Sequence, residues 1–187
     1  CGQAGIWPDM LCLSKGITAG YLPLSLVMTT DRIYSAFYDT DIARGFLHSH
    51  SYTGNPLACR AALASLELFR LHDVINQNRI ISGKINLALE SLKQHSCVRH
   101  FRNRGMIWAF DAVMTPEKQA TFPRRFFETA LKHELLMRPI GNTVYLMPPY
   151  ILNDTDIEQL TEKFSVLDEV RTGISEIRNY IFTKEDP

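Results

Sequence analysis

Apolar positions fall into short continuous runs near the start of the chain and into helical stripes further on. The run Met10–Leu13, between Pro8-Asp9 and Gly16, reads as a short buried strand with Lys15 just past its end. A second apolar run, residues 22–28, follows the loop bounded by Gly16 and Gly20, and Thr30 or Asp31 then caps a short helix ending at Phe37. The polar, aromatic stretch HSHSYTGNP closes on Asn55, a good N-cap, and Pro56, whose missing N–H costs nothing at the first helical position. An alanine-rich helix over residues 57–69 can therefore pack closely. Asp73 opens another, with Val74, Ile81, Ile85, Ala88 and Leu92 on one face.

Past Cys97 the pattern changes. Met106, Trp108 and Phe110 alternate with smaller or polar residues over 105–113, as in a half-buried strand. Phe126, Phe127, Ala130 and Leu131 mark a helix, and residues 135–138 and 143–147 read as two strands around Pro139-Ile140-Gly141-Asn142. Thr155 and Glu158 have capping-box spacing ahead of a long stripe formed by Ile157, Leu160, Phe164, Leu167, Ile174, Ile177 and Ile181. The pattern predicts an α/β portion over residues 1–72 and a smaller α+β portion over residues 73–187.

Composition narrows the function classes. Of 187 residues, 45% are hydrophobic and 21% charged, as in an ordinary globular protein, and no apolar stretch is long enough to span a bilayer. Lysine plus arginine and aspartate plus glutamate each total 20, so no net field attracts a polyanion, and neither nucleic acid nor membrane is an expected partner. Cys1, Cys12, Cys59 and Cys97 form no CxxC pair. Cys12 and Cys59 lie in runs that read as buried, which fits reduced, packing cysteines of a cytoplasmic protein. The chain opens on Cys1 without an initiator methionine or leader, and is read as a fragment.

Three features carry candidate chemistry. A lysine that follows a buried strand can be desolvated, and a neutral amine can attack a carbonyl, yet a lone lysine in such a place is ordinarily a solvated loop residue. Hydroxyls and amides of the 48–56 loop precede a helix and could bind phosphate. His48 and His50 stand at i, i+2 with no third ligand at a sensible spacing, so no metal site is expected. Arg138 ends a predicted strand before Pro139, a rigid place for a fork of donors that suits a carboxylate; an ordinary surface arginine would look the same.

Taken together, the segments PDMLCLSKGITAGYLPLS, HSHSYTGNPLAC and RPIGNTVYLMPPYI resemble, in order, three segments of the class III (ornithine/ω-amino acid type) aminotransferases. They resemble the lysine segment, the second phosphate loop and the carboxylate-binding arginine segment. The third is most similar to the branch of the family that works in biotin synthesis. The resemblance spans essentially the whole chain.

It implies the pyridoxal-phosphate transferase fold of type I: the last part of a large domain with a mixed or parallel sheet, then a small α+β domain. It also implies pyridoxal 5'-phosphate as cofactor, carried covalently by Lys15, whose amine then shuttles the proton. His50, through its backbone, and Ser51 match phosphate-holding positions that in this family reach the neighbouring subunit's site, so a homodimer is implied. Ser49 matches a position beside the substrate, Arg138 the carboxylate clamp and Tyr145 a wall of the substrate pocket. The implied partners are a small keto-acid substrate and an amino donor, adenosylmethionine or lysine. Ser51 stands where many relatives have threonine, and Ser49 and His50 replace smaller or cyclic residues of some relatives. Family members are longer, and carry upstream a glycine-containing phosphate turn, a ring-stacking aromatic residue and the aspartate that pairs with the pyridinium nitrogen. The chain alone is therefore expected to be inactive. Two alternatives stay open: another class III aminotransferase acting on an ω-amino acid or diamine, and a non-catalytic module that keeps the fold.

Overall fold

A computed structural model describes residues 1–164, which fall in two compact units, Cys1–Val74 and a second from Ile75 onward. In the first unit, strand β1 (Met10–Leu13) pairs antiparallel with β2 (Leu26–Thr29), Met10 facing Thr29 and Leu13 facing Leu26. Helix α1 (Asp31–Tyr34) follows, much shorter than the stretch to Phe37, and then α2 (Pro56–Leu71). Asn55 Oδ1 accepts the N–H groups of Leu57 and Ala58, which satisfies two of the otherwise orphaned amides of that helix. Ala58, Ala62 and Ser65 form its buried face.

Burial in this unit corrects the sequence reading. β1 is not a buried strand: Met10 and Cys12 are exposed, and Leu11 and Leu13 only half-buried. Cys59 is likewise half-buried. Periodicity reports which residues favour burial, but burial itself needs a layer to cover them, and a two-stranded ribbon leaves its apolar side chains in solvent. Trp7, Val27, Met28 and Leu57 are exposed in the same unit.

The second unit has its own core. Helix α3 (Val74–Ala88) begins at the boundary and is followed by α4 (Glu90–Lys93). Strands β3 (Val98–Arg104), β4 (Ile107–Ala112) and β5 (Thr143–Leu146) make an antiparallel sheet in the order β3-β4-β5. Gly105, at φ 58°, supplies the left-handed residue that the tight β3–β4 turn requires. α5 (Pro116–Gln119) and α6 (Phe122–Lys132) lie between β4 and β5, and α7 (Asp154–Phe164) follows. Trp108, Phe110 and Val144 point from the sheet into a cluster with Ile85, Leu89, Leu92, Phe122, Phe126, Ala130, Met137 and Ile157. On α6 the buried set is Phe122, Phe126 and Ala130, one side chain per turn, while Leu131 faces solvent.

Three further expectations change. β3 was not expected: four of its seven residues are Arg or His, and it is an edge strand whose charged side chains stay outside. Residues 135–138 form no strand; only the isolated bridge Ile140↔Thr143 pairs with the start of β5. The capping box of the last helix is formed by Asn153 and Asp156, whose side chains accept each other's backbone N–H at 2.9 Å, not by Thr155 and Glu158. The helix starts at Asp154, so Thr155 lies inside it. Leu167, Ile174, Ile177 and Ile181 lie outside the described residues.

One charge cluster gives the second unit a pH dependence. Asp111 on β4 lies 2.9 Å from His100 Nδ1, accepts Thr143 Oγ1–H at 2.8 Å and faces the Arg102 guanidinium at 3.4 Å. His100 first, then Thr143 and Arg102, hold its carboxyl below the ordinary value of 3.8. A carboxylate whose folded value is depressed contributes stability above its unfolded value, and that contribution is lost as pH falls through the folded one. Asp111→Asn is therefore expected to lower the urea midpoint near neutral pH. The gap to wild type should narrow only as the pH drops past 3.8. A gap that stays constant down the acid limb would refute the assignment.

Candidate active site

Lys15 opens a 3-10 turn, Lys15–Thr18, directly after β1 and Ser14. Its φ is 52°, in the left-handed region that an L-residue enters only when the surrounding structure imposes it. Lys15 and Gly16 form one wall of a cleft of about 1080 Å³ in the first unit; Gly20, residues 22–25 and parts of the 50–58 segment form the others. The side chain is exposed. The desolvation expected of a lysine behind a buried strand is thus not supplied by the described chain, because β1 itself is uncovered.

Across the cleft stands the loop before α2, stabilised by its own hydrogen bonds. The Thr53 N–H donates to the His50 carbonyl at 3.0 Å, and the His50 N–H returns to Thr53 Oγ1 at 3.1 Å. His50 Nδ1 accepts the Tyr52 N–H at 3.1 Å. Gly54, at φ 70°, lets the chain turn into the Asn55 cap. The His50 amide is thus engaged inside the turn. His50, Tyr52 and Thr53 line the cleft with Lys15, whereas Ser49 and Ser51 are exposed and are not among its lining residues. Ser25 and Thr53 of the 48–56 loop bring hydroxyls to the same cleft, whereas the Thr18 hydroxyl is buried against the Leu22 carbonyl.

In the second unit, Arg138 and Tyr145 line one cleft of about 350 Å³, with Leu136, Met147, Leu152 and Leu160 among its apolar walls. Arg138 is exposed and Tyr145 half-buried. Among the described residues no group of three or more His, Cys, Asp or Glu is placed to hold a metal ion, and no helix is long and apolar enough to cross a membrane.

The donor set at Lys15, an amine with the Ser25 and Thr53 hydroxyls, fits the carbonyl and phosphate ends of pyridoxal phosphate. No carboxylate that could pair with a ring nitrogen lines the cleft.

These units carry the fold of the type I pyridoxal-phosphate-dependent transferases, the fold of the solved transaminases that the chain superposes on. The chain belongs to the class III aminotransferase family, whose model, Aminotransferase class-III, matches residues 1–167. It is 42% identical over 177 residues to the adenosylmethionine-8-amino-7-oxononanoate aminotransferase of Helicobacter pylori, covering 91% of this chain and 40% of that protein. The crystal structure of the enzyme of that name from Methanocaldococcus jannaschii matches with a TM-score of 0.76 and 36% identity, over 84% of this chain and 37% of that one. A PLP-bound amine transaminase from an uncultivated Pseudomonas species matches with a TM-score of 0.77 and 30% identity, over 88% of this chain and 39% of its own. The chain thus spans about 40% of the length of the curated relatives it matches.

Proposed function

We propose that the protein carrying this chain is a pyridoxal 5'-phosphate-dependent aminotransferase that converts 8-amino-7-oxononanoate to 7,8-diaminononanoate in biotin synthesis, with S-adenosylmethionine or lysine as amino donor. The observation that carries this reading is Lys15, held in a left-handed conformation at the edge of a hydroxyl-lined cleft, in a chain of the class III family. The names of its relatives point to the particular substrate. When bound, pyridoxal phosphate supplies an electron sink for the bonds at the donor's α-carbon.

The chain's own residues do the rest. Lys15 Nζ would hold the cofactor, and its amine would carry the proton at the donor's α-carbon. The His50–Ser51 segment faces a phosphate in the neighbouring subunit's site of a cytoplasmic homodimer, with the Ser51 hydroxyl as donor and His50 shaping the turn through its N–H bond to Thr53 Oγ1, and Ser49 lies beside the substrate. Arg138 pairs with the substrate carboxylate while Tyr145 forms part of the pocket wall. Residues 1–72 then belong to the cofactor domain and residues 73–187 to the interdomain helix and small domain. No described residue lining the Lys15 cleft is a carboxylate that could pair with a ring nitrogen, which supports reading the chain alone as inactive.

The test is turnover of 8-amino-7-oxononanoate by the protein carrying this chain, with each donor in turn; no turnover with either sinks the substrate assignment. A charge-assisted pair contributes roughly 1.5–3 kcal/mol, so Arg138→Ala should raise the KM for that substrate by about 10- to 150-fold. The KM for the donor should change much less. A second reading, an aminotransferase acting on other amines or ω-amino acids, is favoured by the likeness to the amine transaminase. It predicts turnover of simple amines unaffected by Arg138→Ala.

A further inference from the structure

The turn that presents Lys15 is tied down by the side chain of Thr18. Thr18 is 1% exposed; in its unit only Thr18 and Ser65 are buried polar residues. Its Oγ1 donates to the Leu22 carbonyl oxygen at 2.5 Å, spanning the loop from inside. Backbone bonds run from Ile17 N–H to the Ser14 oxygen, from Ala19 N–H to Gly16 and from Tyr21 N–H to Thr18. They form a compact coil in which Lys15, Ala19 and Gly20 all have positive φ, at 52°, 51° and 83°.

Two L-residues in the left-handed region within five positions need an external restraint, because each would relax if the segment were free. The turn packs on α2, whose buried residues are small, Ala58 and Ala62 among them. That packing limits where the turn can lie. It does not set the twist of the loop beyond it. The Thr18–Leu22 bond does, since it fixes the span that holds Ala19 and Gly20. Both ends of that span, Thr18 and Leu22, face the same cleft as Lys15.

We infer that Thr18 is the positioning residue for Lys15: its hydroxyl, by closing the loop onto Leu22, anchors the far end of the turn that Lys15 opens and so keeps its amine on the cleft. The inference rests on the reading of Lys15 as the cofactor-bearing residue. Valine keeps the volume of threonine but cannot donate, and serine keeps the donor while losing the methyl group. The two substitutions therefore separate the hydrogen bond from packing.

The experiment mixes the cofactor-free protein with pyridoxal phosphate, traps the adduct with borohydride at successive times and quantifies the Lys15 peptide by mass. Thr18→Val is expected to slow capture at Lys15 about tenfold, part of the ~10²-fold that a 1 Å misplacement of a reacting group costs. Thr18→Ser should stay close to the wild-type rate. In the loaded enzyme kcat should fall with the capture rate, while the KM for the keto substrate stays put. Equal capture by wild type and Thr18→Val overturns the inference, as does a Thr18→Ser protein as slow as Thr18→Val. If Thr18→Val does not fold, Thr18→Ala takes its place: slow capture with Thr18→Ser normal supports the inference, and equal rates overturn it. Absence of trapping at Lys15 in the wild type removes both readings, whereas normal wild-type capture with indifferent Thr18 variants removes this one alone.

Discussion

Lys15→Ala, made in the protein carrying this chain, is expected to abolish the covalent attachment of pyridoxal phosphate and lower turnover by at least ~10²–10⁴-fold, the contribution of a positioned acid–base group. Two functions are lost with one side chain. The nucleophile that holds the cofactor is gone, and so is the amine that moves the proton. The cofactor can still bind through the remaining contacts, so the variant should take it up reversibly and lose it on dialysis. Borohydride should then bleach the wild-type absorbance and leave no label on the variant's peptide covering residue 15. Lys15→Arg is the informative companion: it keeps the charge and much of the reach, but a guanidinium does not give up its proton. It should be as inactive as alanine. The cleft is open to solvent beside Lys15, so small primary amines added to Lys15→Ala have a path to the vacated position. They should restore part of the proton transfer. Undiminished turnover in Lys15→Ala, with colour still bleached by borohydride, would move the catalytic amine elsewhere.

The lysine was legible in the sequence only through its neighbours. A strand end followed by Lys15 and glycines is common, and the signal came from its company in family order with the 48–56 loop and the Arg138 segment. What the sequence could not show was exposure. Met10–Leu13 has a buried strand's composition, but its faces meet solvent in the described chain, and no pattern of residues reveals which layer is there to cover them. The edge strand Val98–Arg104 was hidden for the opposite reason. Its arginines and His100 break the apolar alternation because an edge strand needs little apolar surface and gains from charges that block further pairing. The capping box moved by two residues because Asn153 and Thr155 both suit the N-cap, and only the backbone turn decides between them. The core of the second unit read more directly. Trp108 and Phe110 sit at alternate positions of one strand, and Phe126 and Ala130 are one turn apart on a helix, so period alone placed their side chains inward. Thr18 escaped notice because its task depends on a bond to a carbonyl four residues away, and the residue type alone does not reveal such a bond.

Trp108→Ala is expected to cost the second unit roughly 3–5 kcal/mol, the range for deleting a buried aromatic side chain. A domain's whole stability is only about 5–15 kcal/mol, so most of the margin would go. Trp108 is 1% exposed on the central strand β4, between its ladder partners Asn103 on β3 and Leu146 on β5. Its ring belongs to the cluster that joins sheet and helices. Its Nε1–H donates to Asn86 Oδ1 at 2.8 Å, which ties β4 to α3 with a directed bond as well as by packing. Alanine removes the ring, leaves a cavity lined by residues on several elements that cannot all close in, and leaves the Asn86 oxygen without its donor. Asn86→Ala removes the acceptor instead, keeps the ring, leaves the buried indole N–H unpaired and should cost about 1–3 kcal/mol. The measurement is urea unfolding followed by circular dichroism. The emission of Trp108 itself can be followed in a Trp7→Phe background, because the chain has only two tryptophans and Trp7 is 89% exposed. At a slope of about 1–3 kcal/mol per molar urea, the Trp108→Ala midpoint should fall by a molar or more. Lys15, in the other unit, gives an internal control. If the two units unfold independently, Trp108→Ala should leave the initial rate of borohydride-trapped cofactor capture at Lys15 unchanged in the absence of urea. A midpoint shift no larger than that of Asn86→Ala would mean that the hydrogen bond, not the buried ring, is what β4 contributes to the core.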